Sequence, residues 1–213
     1  MTVFIRTLNP STNTYIIMTK IKKILVKTLI ISYRMDSLGF GFYLENKENK
    51  RILLSDNYLQ AKIYLEQNNK QKATDILKEI IFANDPTYST LSLFFVMNQN
   101  LITNEKEILL LFNHLLENNK FSNEVRDLLI YKRALFSSNF VSEQKLLQST
   151  KSLLNTENQW KPHALILLGD YFTSKGEYIK AIEFYQKIFS INNLHKDLYN
   201  HATSQLQIIS NAQ

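Results

Sequence analysis

Residues 160–193, WKPHALILLGDYFTSKGEYIKAIEFYQKIFSINN, decide the fold of this chain. Leu165, Leu168 and Phe172 recur three and four residues apart, the spacing of one helix face, and Ala181, Tyr185 and Ile188 do the same beyond Gly176. Pro162 suits the opening of the first helix, because a proline there gives up no hydrogen bond. Two helices this close in sequence fold back on each other. Small Gly169 and Ala181 let their axes approach, while Phe172 and Tyr185 fill the groove between them.

The rest of the chain agrees with a helical reading. Four Gly and three Pro are few for 213 residues, and apolar residues follow helical spacing rather than alternation, which predicts an all-α protein. Zero cysteine excludes a disulfide framework, a thiolate metal site and a cysteine nucleophile. Net charge is +6, but residues 1–44 hold six basic residues against Asp36 alone. The remaining 19 basic and 18 acidic residues are interspersed, without the basic stripe that a nucleic-acid-binding array would carry.

After a charged linker, Glu45 to Arg51, the spacing predicts consecutive helix pairs. The first is Ile52–Glu66 with Lys70–Ala83, broken by Gln67-Asn68-Asn69 and ended by Asn84-Asp85-Pro86. Its Ala61, Tyr64, Ala73, Leu77 and Ile80 repeat the spacing of the later hairpin, with Asn57 where a bulky opening residue would stand. Tyr88–Met97 pairs with Ile108–Glu117, opened by a capping box of Asn104 and Glu107, and the all-round apolar run Leu109 to Phe112 predicts a helix sandwiched on both sides. Glu124–Phe136 pairs with Glu143–Leu154, with Ser122 and Ser142 as N-caps. A last helix, Asp197–Ile209, has one apolar stripe, as the capping helix of a stack should.

The basic N-terminal part leads from Lys20, Lys22, Lys23 and Lys27 into apolar runs ending near Leu44. From Ile24 to Leu44 there are 21 residues, enough to span a bilayer. Lys27, Arg34 and Asp36 interrupt them, each costing about 2.5–3.5 kcal/mol at mid-membrane. A membrane anchor, an amphipathic surface helix and a cleaved signal peptide therefore compete for this segment. Met18 is an alternative start, which makes residues 1–17 dispensable. The expected organisation is 1–17 disordered or mis-assigned, 18–44 anchor-like, and 45–213 a helical domain with its best repeat at 162–195.

Leu165, Leu168-Gly169, Phe172, Gly176, Ala181, Tyr185 and Ile188 together resemble the tetratricopeptide repeat, with Ile188 where Ala is usual and Asn193 where Pro is usual. With the basic N-terminus and roughly four helix pairs in front of it, residues 45–210 resemble the tetratricopeptide-like family that includes the ancillary subunit of the SecYEG translocon and the related cell-division coordinator domain. That resemblance implies a right-handed superhelix of stacked antiparallel helix pairs behind a single membrane span. It places the N-terminus in the cytoplasm and the repeat domain in the periplasm of a bacterial inner membrane. It also implies partners among translocon subunits or chaperones. The alternative is a soluble cytoplasmic adaptor whose basic segment touches acidic lipid.

No constellation of residues points to catalysis, a cofactor or a small-molecule substrate. His114, His163, His195 and His201 lack the spacing of a zinc site, so His114 with Glu117 reads as a surface pair. Gly39 and Gly41 form no phosphate loop. Asp170, Glu177 and Glu183 read as solvated-face charges. Tyr171 and Phe184 are candidates for partner contact on a concave face. Trp160 reads either as a packing anchor or as a binding hot spot.

Overall fold

The computed structural model describes residues 27–28 and 43–211. The chain divides into two compact units, Met1–Leu53 and Leu54–Gln213, and the division falls inside the first helix rather than at Leu44. Of the first unit, residues 27–28 and 43–53 are described, all helical and exposed. Most of the anchor-like segment lies outside the described residues, within which no helix is long and apolar enough to cross a membrane. The predicted linker, Glu45 to Arg51, is instead helical, because nothing in it breaks a helix and its polar side chains suit an exposed one.

Among the described residues the fold is all-helical. Helix α1 covers residues 43–66. It is followed by α2 (Lys70–Phe82), α3 (Pro86–Asn98), α4 (Glu105–Asn118), α5 (Asn123–Ser137), α6 (Glu143–Asn155), α7 (Lys161–Ser174), α8 (Tyr178–Ile188) and α9 (Lys196–Asn211). Each packs on its neighbour in sequence wherever both are fully described. One buried cluster, including Ala61, Leu77, Leu93, Phe112 and Leu129, joins α1 to α5. Two others join α5 to α9 around Leu146 and Leu168, and around Phe172, Tyr185 and Ile209.

Asparagine closes many of these helices. Asn68, Asn84, Asn100 and Asn193 have positive φ, as does Gly176. Asparagine reaches the left-handed region more readily than other residues with a side chain, so a glycine-poor chain can still end its helices sharply. After α1, α3 and α7 the same motif forms: Asn69, Leu101 and Glu177 each donate their backbone N–H to the carbonyl five residues back, at 2.8, 3.0 and 2.9 Å.

The α1/α2 turn and the α7/α8 turn match closely. Asn68 and Gly176 are the left-handed residues, and the caps that follow have nearly identical backbones, Asn69 at φ −86°, ψ 68° and Glu177 at φ −86°, ψ 62°. Fully buried Ala61, Ala73, Leu77 and Ile80 stand where the later hairpin has Gly169, Ala181, Tyr185 and Ile188. In the later hairpin the helices touch: a Cβ on Gly169 would lie 2.4 Å from the Tyr185 ring. The first hairpin exchanges this small–large pair for Ala61 with Leu77, a smaller side chain facing a larger backbone position.

Four further expectations change. α3 packs more closely on α2 than on α4, where small buried Ser89 lies against α2 and its Oγ donates to the Ile80 carbonyl at 2.8 Å. α4 is not sandwiched, since Leu110 is 66% exposed while Ile108, Leu111 and Phe112 are buried. Asn104 caps α4 by accepting from Lys106 and Glu107 N–H, but the Glu107 carboxylate pairs with Lys78 instead of closing the box. Ser122 accepts from Val125 N–H, whereas Ser142 makes no side-chain cap bond.

The close approach of Gly169 to Tyr185 yields a test. Gly169→Ala should cost about 1–3 kcal/mol by overpacking. Combined with Tyr185→Leu, which copies Ala61 and Leu77, it should cost clearly less than the two single changes added together. Urea unfolding of the four proteins measures that coupling; additive losses would show that the two residues do not share one gap.

Candidate functional site

The C-terminal helices α5 to α9 close more tightly on one side than on the other. The backbone of α7 comes close to α5 and α9, its next-but-one neighbours, whereas α6 and α8 meet only through side chains, Glu143 with Lys180. α5, α7 and α9 thus make up the more closely spaced row of this part, termed the inner row. The described helices before them differ: there the backbones of α2 and α4 come close, and those of α3 and α5 do not. The closely spaced row therefore passes from even to odd helices between α4 and α5.

An aromatic group stands where α5 meets the start of α7. The Tyr131 ring stacks on Trp160 at 5.4 Å and 22°, and His163 lies edge-on to Tyr131 at 5.6 Å and 5.1 Å from Trp160. The loop that carries Trp160 is pinned by Asn158. Its side-chain oxygen accepts from Trp160 N–H at 2.8 Å, while its amide donates to the Leu153 carbonyl at 3.0 Å and to Thr156. Burial lowers the pKa of His163, against a nearby Gln159 carbonyl and with His195 and Lys132 adding to the fall. Burial also raises that of Tyr131, with Asp170 adding to it. Trp160 Nε1 and His163 Nδ1 are both buried without a hydrogen-bond partner.

Beside Trp160 opens a cleft of about 520 Å³, lined among others by Glu124 and Asp127 of α5, Thr156 at the end of α6, and Glu157. No lysine or arginine lines it.

Further along the inner row, Asp170 joins three helices. Its Oδ1 accepts from Tyr185 Oη on α8 at 2.6 Å and from His201 Nε2 on α9 at 2.8 Å. The phenol needs such an acceptor because its ring is fully buried. Burial, then the bond to Asp170, hold the Tyr185 pKa well above the ordinary value of 10. The expectation that Asp170 is merely a solvated-face charge is thus corrected: its carboxylate is half-exposed and bridges α8 to α9. Glu183 is exposed, and Glu177 pairs with Lys180, which also reaches Glu143 on α6 and so ties the hairpin to its predecessor.

The repeat residues Leu165, Leu168, Phe172, Ala181, Tyr185 and Ile188 are buried, at 3% exposure or less. Gly169 is buried too, and Gly176 sits in the turn. Tyr171 and Phe184 lie half-buried in the seam between the hairpin and α5/α6, with Phe184 stacked on Phe172 at 5.5 Å and 6°. Of the three contact candidates, Trp160 lines the cleft beside α5. His114 bonds to Asn84 at 2.8 Å and to Asn118, not to Glu117, which fastens α4 to the α2/α3 turn. Tyr131, and the bond that His201 makes to Asp170, escaped the sequence reading, since their partners lie on other helices. The one available signal, the phenol of Tyr185 at a packing position, called for an acceptor and so pointed to Asp170 rather than to these two.

Among the described residues no three His, Cys, Asp or Glu side chains are placed to hold a metal. No protein-family model, curated protein or solved structure matches this chain.

The bridge through Asp170 predicts an alkaline limit to stability. A folded-state pKa above the unfolded one stabilises fully below about pH 10, and that contribution is lost as pH rises towards the folded value, by up to about 1.4 kcal/mol per pH unit. Tyr185→Phe should flatten this slope relative to the parent and cost about 1.5 kcal/mol at neutral pH. Urea midpoints between pH 8 and pH 11 give both numbers; equal slopes would place the Tyr185 proton elsewhere.

Proposed function

We propose that this protein is a non-enzymatic scaffold that holds other proteins on the inner row α5, α7 and α9 of a tetratricopeptide-like helical stack. The observation that carries this reading is the combination on one row of a tight hairpin with side chains that the core does not consume. Packing takes up Leu165, Leu168, Phe172 and Tyr185, while the cleft at Trp160 and the half-exposed Asp170 and His201 stay open to solvent. Stacked helix pairs of this kind offer an extended surface on which affinity comes from a few rigid aromatic anchors. A right-handed superhelix is part of the same proposal.

Tethering by residues 18–44 to a bacterial inner membrane, with the helical domain in the periplasm and translocon subunits or chaperones as partners, extends the proposal. Its support is the order of basic and apolar residues in that segment and the resemblance of the repeat. A cytoplasmic adaptor touching acidic lipid is the competing placement.

Two experiments test these statements. The chain has no cysteine, so single-cysteine variants carry a cross-linker without background. Lys132→Cys, on α5 near His163, should trap a partner in cells several-fold more efficiently than Gln186→Cys on α8; equal trapping would remove the inner row from the account. Membranes from cells expressing the full chain should retain it through alkaline carbonate if the segment spans, and release it if a charged surface contact holds it.

A further inference from the structure

We infer that the cleft beside Trp160 docks a cationic side chain, lysine or arginine, presented by an extended segment of the protein the scaffold holds. This rests on the scaffold reading and adds the chemistry of the partner. The cleft's volume, about 520 Å³, exceeds one side chain and lies within the usual range of ligand sites, roughly 300–1,000 Å³, so neighbouring backbone enters as well.

The wall is aromatic and rigid. Trp160 lines it, with its ring fixed by stacking on Tyr131 and its backbone fixed by Asn158. An indole face attracts lysine and arginine heads more than any other aromatic does.

The surrounding charge has one sign. Glu124, Asp127 and Glu157 line the cleft with no basic residue among them, although the chain as a whole carries +6. Two of the three have duties elsewhere. Glu157 pairs with Lys161. Glu124 sits in the first turn of α5, where its own backbone N–H and then Ser122 lower its pKa, and where it offsets the helix dipole. Asp127 has neither role: it lies beyond that first turn and has no hydrogen bond or ion pair among the described residues. Helical spacing sets it one turn from Tyr131 on the same face, next to the stacked pair. α6 also ends at this cleft, with no basic residue in its last turn, so its negative pole favours a cation there. An acidic segment would be repelled from the same place.

Trp160 is the only tryptophan, so intrinsic fluorescence reports on this cleft alone. The full-length chain is titrated with the pentapeptide amide Gly-Ser-Arg-Ser-Gly and with its citrulline counterpart, equal in shape but uncharged. The arginine peptide should give a saturable change, with the citrulline peptide about tenfold weaker. Asp127→Asn should weaken the arginine peptide by a similar factor while the melting temperature stays unchanged, and added salt should weaken it further. Equal responses to both peptides, an unaffected Asp127→Asn protein, or no saturable change would overturn the inference. The citrulline comparison needs no variant and decides the matter if Asp127→Asn folds poorly. Selective trapping from Lys132→Cys without an arginine response would leave the scaffold standing and remove only this pocket, whereas loss of both would remove the reading beneath it.

Discussion

The absence of a Cβ at Gly169 is the constraint on which the C-terminal half depends. It lets the Tyr185 ring lie against the α7 backbone, closer than any side chain at that position would permit. Burying a ring of that size contributes about 2–3 kcal/mol, but only while its hydroxyl is bonded, because an orphaned phenol would return much of the gain. Asp170, the next residue after Gly169, supplies the acceptor and with its remaining capacity takes the bond from His201. One missing methyl group thus fixes the α7/α8 seam and the attachment of α9. It also leaves a half-exposed carboxylate on the inner row.

The same device recurs in another size at the other end of the described helices. Ala61 and Leu77 replace Gly169 and Tyr185, and Asn68 replaces Gly176 in the turn, with almost the same backbone around the following cap. The exchange keeps the gap filled without a buried hydroxyl, so no counterpart of the Asp170 bridge is needed there. Between the two hairpins, buried Ser89 ties α3 to α2, and the closely spaced row changes from even to odd helices. The inner row α5, α7 and α9 therefore begins only after that change, and the proposed docking face belongs to the C-terminal half.

Local signals were legible in the sequence. Helical periodicity, the Pro at the start of α7 and the Asn104 cap all act over three or four residues, which is the range a single sequence exposes. The linker at Glu45 to Arg51 was misread because polar composition was taken for a break, whereas a polar stretch without Gly or Pro continues a helix readily. Asp170 was misread for the opposite reason: the residues that claim it, Tyr185 and His201, are distant in sequence and meet only through packing. Tyr171 and Phe184 looked available on isolated helices, but the seam with α5 and α6 half-covers them. Trp160 proved to be anchor and cleft wall at once, which its position alone did not reveal.

Native-state hydrogen exchange of the full-length chain tests the central claim, that one close contact holds α7, α8 and α9 together. Amides of α7 and α8 should open as a single cooperative unit among the most protected in the protein, with the middle of α9 around His201 joined to it. Exchange of α8 or of central α9 at free energies far below that of α7 would show that the three helices are held separately, and would contradict the account.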